Sequence, residues 1–560
     1  MSEKNPIAVA LEDRFGSLKQ LRQPWETLWQ EIAKYVMPRR VPGLNGSIQG
    51  PGTSNETLLF DTTAVDANMT LANGQLAWMS PLEASWFAFE PQKKSDAAKL
   101  WLSECTGTAR EALASGNFYT AVHEFYLDRS AFGTACLYVE QGMKSPINAE
   151  VWPVGTFVID EDAEGNVDTV IREFQLSPRQ AAAKFGEDKL SPKMREMLGD
   201  PKRMHEKCKF LHCIQPRNER DKKKVDDVNM PIQSVYMERE GCHIVKDSGY
   251  EEMPVMVSRY LQWGSGTGSF YGWAPSFVAL PEARQLNFLE KMMDALAEKK
   301  AFPPVLAPEE LEGEIDPNAM GVTYFSRDLG TSGQMPREWM TQGDYAIGFQ
   351  RAEVRRDAIR RAFHVDLFQM FAQVEKQMTA REVSERSSEK LIQFSPTFSR
   401  LTTELFNPLL ERVFAILLRN GSFTQPPEEM VMPLGDGRGF LPPPKVAYNS
   451  RIALALRALP ALGYARSLER LMVVYQLQPD VLDNYNFDNA ERDTALADGV
   501  PASFMRAEPL VKKTREARAE AQAQAAQMQQ QAMAAESLGK VGGIKGDSIV
   551  GQQLEGAING

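Results

Sequence analysis

The residues whose types suggest metal chemistry are a group of histidines and cysteines in the middle of the chain. They are His205, Cys208, His212, Cys213, Cys242 and His243. Zinc accepts imidazole and thiolate ligands, but this spacing fits no standard zinc pattern. His212 and Cys213 are also adjacent in KFLHCIQP, a predicted strand in which neighbouring side chains point to opposite faces. We therefore predict ordinary buried cysteines and no bound metal.

An acidic loop is the second candidate for metal chemistry. Asp160, Asp162, Glu164 and Gly165 match positions one, three, five and six of a calcium-binding loop. Position twelve is Ile171, where a calcium loop requires a bidentate glutamate. The flanking residues also alternate in the manner of strands, so we predict a β-turn rich in Asp and Gly.

Motifs of nucleotide binding and catalysis do not occur in the chain. The glycine-rich string GSGTGS, 264–269, lacks the lysine of a phosphate loop and the third glycine of a dinucleotide site. No GxSxG or HExxH is present, and no cysteine has a histidine at a catalytic spacing. These observations indicate a structural or assembly protein without cofactors rather than an enzyme.

Composition sets broader limits. The 560 residues are ample for a large core, and the net charge of −11 argues against a basic, sequence-reading DNA binder. Five scattered cysteines do not form a secreted disulfide framework, so we expect a reducing compartment. The sequence MSEKNPIAVALEDRF lacks the regions of a signal peptide, and no apolar run is long enough to span a membrane. We expect neither export by that route nor a membrane span.

The N-terminal half reads as helices followed by strands. We predict helices over 11–35, with a kink or break at Pro24, and over 64–79, 97–115 and 119–131. From Gly133 the period falls to two, which indicates a β-rich insert with one helix at 178–184. Its predicted strands are 135–141, 149–154, 156–162, 167–175, 209–216, 232–240, 242–248 and 253–263, with Glu240-Gly241 as a hairpin turn. The fold class is therefore α+β.

Two long helices follow, separated by about forty residues rich in Gly, Pro and Asp. The first, 281–300, carries an apolar seam of Leu286, Leu289, Met293 and Leu296. The second begins at Gly343, and its apolar seam is Ile347, Val354, Ala358 and Phe363, with arginines over the other faces. We predict a helical hairpin that projects from the body. An antiparallel pair buried within one domain is the open alternative.

The C-terminal part is mainly helical. Amphipathic helices are predicted over 378–393 and 401–421, the second ending at Gly421. After a proline-rich segment at 425–444, further helices are expected to about residue 497. A stretch rich in Ala and Gln, 508–538, has high helix propensity, and the Gly-rich last twenty-odd residues are predicted to be disordered.

Five strings, taken in order, resemble a known family. They are FDTTAVDANMTLANGQLAWMSPLEASWFAFEP (60–91), FGTACLYVE (132–140), VIDEDAEGNVDTVIREF (158–174), YGWAP (271–275) and MTAREVSER (378–386). Their order and spacing resemble the podovirus head-to-tail connector, or portal, proteins. The resemblance runs from about Leu11 to Phe504.

The resemblance implies a portal fold assembled as a ring, commonly of twelve identical subunits, at one capsid vertex. Double-stranded DNA would be packaged and later ejected through its channel without sequence specificity. The implied partners are the terminase large subunit, a tail adaptor, and the major capsid and scaffolding proteins, with no membrane. The protein would be found in the virion and, during assembly, in the host cytoplasm.

Segments of the chain take names from the resemblance. They are a wing (1–274 and 379–500) with a β-rich insert, a two-helix stem (275–302 and 343–364), a small α/β clip (303–342), a channel loop (365–378), a helical crown (501–538) and a disordered tail (539–560).

Three groups of site residues follow. The candidates facing DNA are Lys299, Lys300, Gln369, Gln373, Lys376 and Gln377. The candidates for contacts between subunits of the stem are Arg351, Arg355, Arg356, Arg360 and Arg361. The candidates for docking partners on the clip are Tyr324, Phe325 and Trp339.

The acidic net charge is consistent with a channel, because each neutralised phosphate would hold DNA more tightly and slow its passage. Two alternatives stay open. A helical virion scaffold or ejection protein predicts no closed ring. A metal-dependent nuclease that uses the His/Cys cluster predicts bound metal and DNA cleavage.

Overall fold

The computed structural model describes most of the chain in two compact units, Met1–Leu456 and Arg457–Gly560. The described residues are 5–40, 59–92, 95–142, 144–221, 224, 226–262, 270–301, 305–306, 337–338, 345–372, 395–433, 439–450, 453, 463–464, 467–476, 478–497, 505–506 and 508–541. The predicted helix 378–393 and the string GSGTGS lie outside these residues. Among the described helices, none is both long and apolar enough to cross a bilayer.

Four helices open the first unit: α1 (Pro6–Tyr35), α2 (Thr63–Met79), α3 (Asp96–Ser115) and α4 (Phe118–Phe132). The side chain of Asn5 caps α1 by accepting a hydrogen bond from the backbone N–H of Ile7. Of the two predicted effects of Pro24, a kink or a break, the break is wrong, because α1 runs through the proline as one helix. Buried side chains on both sides of the proline hold the two halves on the body, Leu18 in one hydrophobic cluster and Trp29 in another.

Nine strands and two helices form most of the body. The strands are β1 (Phe87–Glu90), β2 (Thr134–Gln141), β3 (Ile147–Trp152), β4 (Phe157–Glu161), β5 (Val167–Leu176), β6 (Cys208–Pro216), β7 (Ile232–Glu238), β8 (His243–Tyr250) and β9 (Val255–Arg259). Helices α5 (Pro178–Phe185) and α6 (Pro192–Gly199) lie between β5 and β6. Strands β3-β2-β9 form one sheet and β4-β5-β6-β7-β8 another, all antiparallel. The predicted strands and the turn at Glu240-Gly241 are confirmed, with ends shifted by a few residues.

The five-stranded sheet is covered on both faces. Leu11, Phe15 and Leu18 of α1 pack with residues such as Ile171 and Cys213 on one face. On the other face, residues of α5 and α6 pack with Phe210, Tyr236 and Val245. The remaining helices and the three-stranded sheet share the main core. The α+β class is therefore confirmed.

Three helices follow the sheets in the first unit: α7 (Pro275–Ala301), α8 (Tyr345–Ala362) and α9 (Val365–Ala372). Between α7 and α8 only a two-residue ribbon is described, in which β10 (Val305–Leu306) pairs with β11 (Arg337–Glu338). After a helical stretch at 395–401, one π-helical turn (Thr402–Phe406) leads into α10 (Asn407–Arg419). The chain leaves this helix at Gly421, whose φ is +66°, as predicted.

Short strands complete the first unit, and helices form the second. Strand β12 (Met432–Pro433) pairs with β13 (Gly439–Phe440), and β14 (Lys445–Tyr448) pairs with β1. The second unit contains α11 (Phe487–Ala497) and α12 (Glu508–Val541), which extends the predicted helix 508–538. Arg515 of α12 forms an ion pair with Asp488 of α11.

Candidate functional site

The helix pair formed by α7 and α8 is antiparallel. Glu282 near the start of α7 bonds Arg355 near the end of α8, at 2.6 Å, whereas Met293 farther along α7 lies beside Gly348 near the start of α8. A Cβ atom on Gly348 would lie 2.7 Å from the sulfur of Met293. The glycine therefore lets the two helices approach closely.

Arg356 joins the helix pair to the body through three carboxylates. Its guanidinium lies 3.0 Å from Asp61, just before α2, 2.5 Å from Glu290 of α7 and 2.6 Å from Glu353 of its own helix. Burial raises the pKa of Glu290, and the positive charge of Arg356 opposes that shift. Asp61, Glu290 and Arg356 thus tie three helices at one point.

The five arginines predicted to contact a neighbouring subunit fall into two groups. Arg355 and Arg356 are paired with carboxylates of their own chain. Arg360 and Arg361 bond to Asp357 within the same helix, and no contact with a more distant carboxylate occurs among the described residues. Arg351 is exposed, and no ion pair to it occurs among the described residues.

The prediction that Ile347 and Val354 belong to the buried apolar seam of α8 is wrong. The buried residues are Ala352 and Ile359, followed by Phe363 just past the helix, whereas Ile347 and Val354 are 55% and 66% exposed. At 100° per residue, Ile347 and Val354 lie together on the side opposite Ala352 and Ile359. The helix therefore has one apolar stripe against its own chain and a second that points away from it.

Helix α7 has the same two-sided character. Its predicted seam is buried at Leu286 and Met293, but Phe288 and Met292 are 64% and 43% exposed. Phe288 lies about 160° around the helix from Leu286, and Met292 is one turn farther along on nearly the same side. Exposed apolar patches are typical of surfaces that bind a partner.

The segment expected to form a channel loop begins as a helix. Residues 365–372 form α9, with Val365 and Leu367 buried. The ring of Phe368 rests directly on Gly74 of α2 and leaves no room for a Cβ atom there. The lack of a side chain at Gly74 therefore allows α9 to pack closely on α2.

Most of the other predicted site residues have no described side chain. Lys299 and Lys300 lie exposed in the last turn of α7. Gln369 lies in α9, but its side chain is outside the described part of the chain. Gln373, Lys376, Gln377, Tyr324, Phe325 and Trp339 are likewise outside it.

The two candidate metal sites have structural roles. His212 stacks on Tyr236, with ring centres 3.8 Å apart, whereas Cys213 packs under α1, so the prediction of opposite faces is confirmed. Asp162 accepts hydrogen bonds from the backbone N–H groups of Glu164 and Asn166, which confirms the β-turn. Within the described ranges, no group of three or more His, Cys, Asp or Glu is placed to hold a metal.

Comparison with known proteins identifies the family. The model of the family described as bacteriophage head to tail connecting protein matches residues 8–505. The chain belongs to this family. The resemblance carried by the five sequence strings is thereby confirmed.

Two curated relatives of this connector-family chain are similar over nearly their whole length. One is a probable portal protein of Bordetella phage BPP-1, 28% identical over 495 residues that cover 87% of this chain and 86% of that protein. The other is a portal protein of Salmonella phage epsilon15, 27% identical over 515 residues that cover 90% of each chain.

Sequence reasoning missed two contacts that hold this connector-family chain together. The contact of Arg356 with Asp61 joins residues 295 positions apart, and no local pattern points to it. The contact of Gly74 with Phe368 had a signal, because an isolated glycine within a helical pattern often marks close packing.

Proposed function

We propose that this protein is the portal protein of a tailed phage of the podovirus type. Copies of the chain would form a ring of about twelve subunits at one capsid vertex. Double-stranded DNA would enter during packaging and leave during ejection through the central channel. Membership of the head-to-tail connecting family and the two portal relatives support this function.

The observation that carries the proposal is the two-sided helix pair. The apolar stripes of α7 and α8 are different surfaces on opposite sides of one hairpin. A contact between the outer side of α7 in one copy and the outer side of α8 in the next is heterologous, and it repeats until a ring closes. Phe288 and Val354 would lie in that contact.

The assignment of segments is part of the proposal. Helices α7 and α8 would form the stem, residues 303–342 the clip that docks terminase and then the tail adaptor, and the crown would follow residue 501. The body, residues 1–274 with 379–500, would be the wing that meets the capsid and scaffolding proteins. The protein would act without catalysis or a cofactor.

Charge fits a channel through which DNA slides. A net charge of −11 on each chain makes the ring as a whole strongly acidic, so phosphates find few tight partners. Lys299, Lys300, Gln369, Gln373, Lys376 and Gln377 are the residues that we propose to face DNA. A structure of the assembled ring with Lys299 and Lys300 on its outer surface would contradict this placement.

Negative-stain electron microscopy of the purified protein tests the function. We expect closed rings with a central hole. Extended or irregular assemblies without a hole would support a helical scaffold or ejection protein instead. Stoichiometric metal together with DNA cleavage would support a nuclease.

Native mass spectrometry of variants tests the proposed subunit contact. Val354→Asp should shift the population from rings to monomers, because the buried contact would then contain an unpaired charge. Leu100→Asp on α3 is the matched control, since Leu100 is 67% exposed and Val354 66%. Rings of Val354→Asp as abundant as those of the control would contradict the contact.

The proposed role of the arginines has its own test. Arg356→Glu with Arg360→Glu should weaken ring formation, but Arg356 also holds its own chain together. Arg360→Glu with Arg361→Glu isolates the contact between subunits, because their bonds in the chain are local. Unchanged ring formation by the second pair would contradict the role.

A further inference from the structure

We draw no further inference here: the strongest candidate, the apolar helical turn at residues 472–475 in the second unit, exposes four large side chains, but nothing in the structure shows what covers them.

Discussion

The five-stranded sheet and the pair α7–α8 differ in how completely their own chain covers them. Both faces of the sheet are packed, by α1 on one side and by α5 with α6 on the other. In the part of the chain that the structure describes, the helix pair is packed on its inner side, and Phe288, Ile347 and Val354 are exposed on its outer sides. The sheet is covered within one chain, whereas we propose that a second copy covers the outer sides of the helix pair.

The difference in coverage separates the stability of the single folded chain from the stability of the assembly. Substitutions in the body should act on the folding of a single chain, and substitutions on the outer sides of the helix pair should act on assembly. The free energy of unfolding, measured by urea denaturation of the monomeric fraction, distinguishes the two effects.

The largest effect is expected at a buried charge in the body. The side chain of Arg259 is 3% exposed and pairs with Glu161 and, at 2.9 Å, with Glu404. Arg259→Met would leave Glu161 buried without its cation, whereas Glu404 would keep Arg400 at 3.1 Å, so we expect unfolding to become easier by about 3–5 kcal/mol. Arg419→Met is the control, because Arg419 pairs with glutamates at the surface, and its loss should cost less than about 1 kcal/mol. If Arg259→Met and Arg419→Met lowered the free energy of unfolding equally, the ion pairs of Arg259 would be as exposed to water as those of Arg419.

A smaller, pH-dependent effect is expected at Asp128 of α4. Burial raises the pKa of this carboxyl to about 6, against the attraction of Arg40 at 3.1 Å. The folded chain then binds the proton more strongly than the unfolded one. Stability is therefore gained as pH falls from 7 toward 4, by up to about 3 kcal/mol, and lost as pH rises through 6.

Asp128→Asn should remove that part of the pH dependence. The measurement is urea denaturation at a series of pH values, with Glu124→Gln as the control because Glu124 is half exposed beside the same arginine. An Asp128→Asn profile parallel to that of the parent chain would show that Asp128 does not titrate in this range.

The two regions also differ in what the sequence could predict. In the sheet, short runs of strand-forming residues identified the strands. Strand geometry placed His212 and Cys213 on opposite faces, because successive side chains alternate whatever covers each face. In α8, periodicity selected Ile347 and Val354 as the buried seam. A helix with two contact surfaces has two apolar stripes, and periodicity cannot tell which one meets its own chain.

Other contacts could not be predicted because they depend on tertiary packing. Arg356 meets Asp61 across 295 residues. Helix α1 continues through Pro24, and the two halves of the helix are buried in two separate hydrophobic clusters. These features arise only when distant segments meet, whereas local patterns report only on neighbours in sequence.

A moderate effect is expected at Gly74, where the body holds α9. Gly74→Ala would push its methyl group into the Phe368 ring and should cost about 1–3 kcal/mol. Gly107→Ala in α3 is the matched control. No atom lies within 4 Å of its added Cβ, so it should stabilise the helix by up to about 1 kcal/mol. The double variant Gly74→Ala with Phe368→Ala should lose less stability than the sum of the two single losses, because the clash needs the ring. A loss equal to that sum would mean that the two residues do not touch.

The smallest effect on a single chain is expected on the outer side of α8. Val354→Asp should change the free energy of unfolding of the monomer by no more than about 0.5 kcal/mol, because the side chain already lies in water. Ile359→Ala, five residues along the same helix but fully buried, should cost about 2–5 kcal/mol. If Val354→Asp destabilised the monomer as much as Ile359→Ala, the outer side would be covered within its own chain. The outer side of α8 would then not be free to contact another subunit, and the proposed contact would be contradicted. If instead Val354→Asp abolishes rings and leaves the stability of the monomer unchanged, the apolar stripe of Ile347 and Val354 stabilises the assembly and not the single chain.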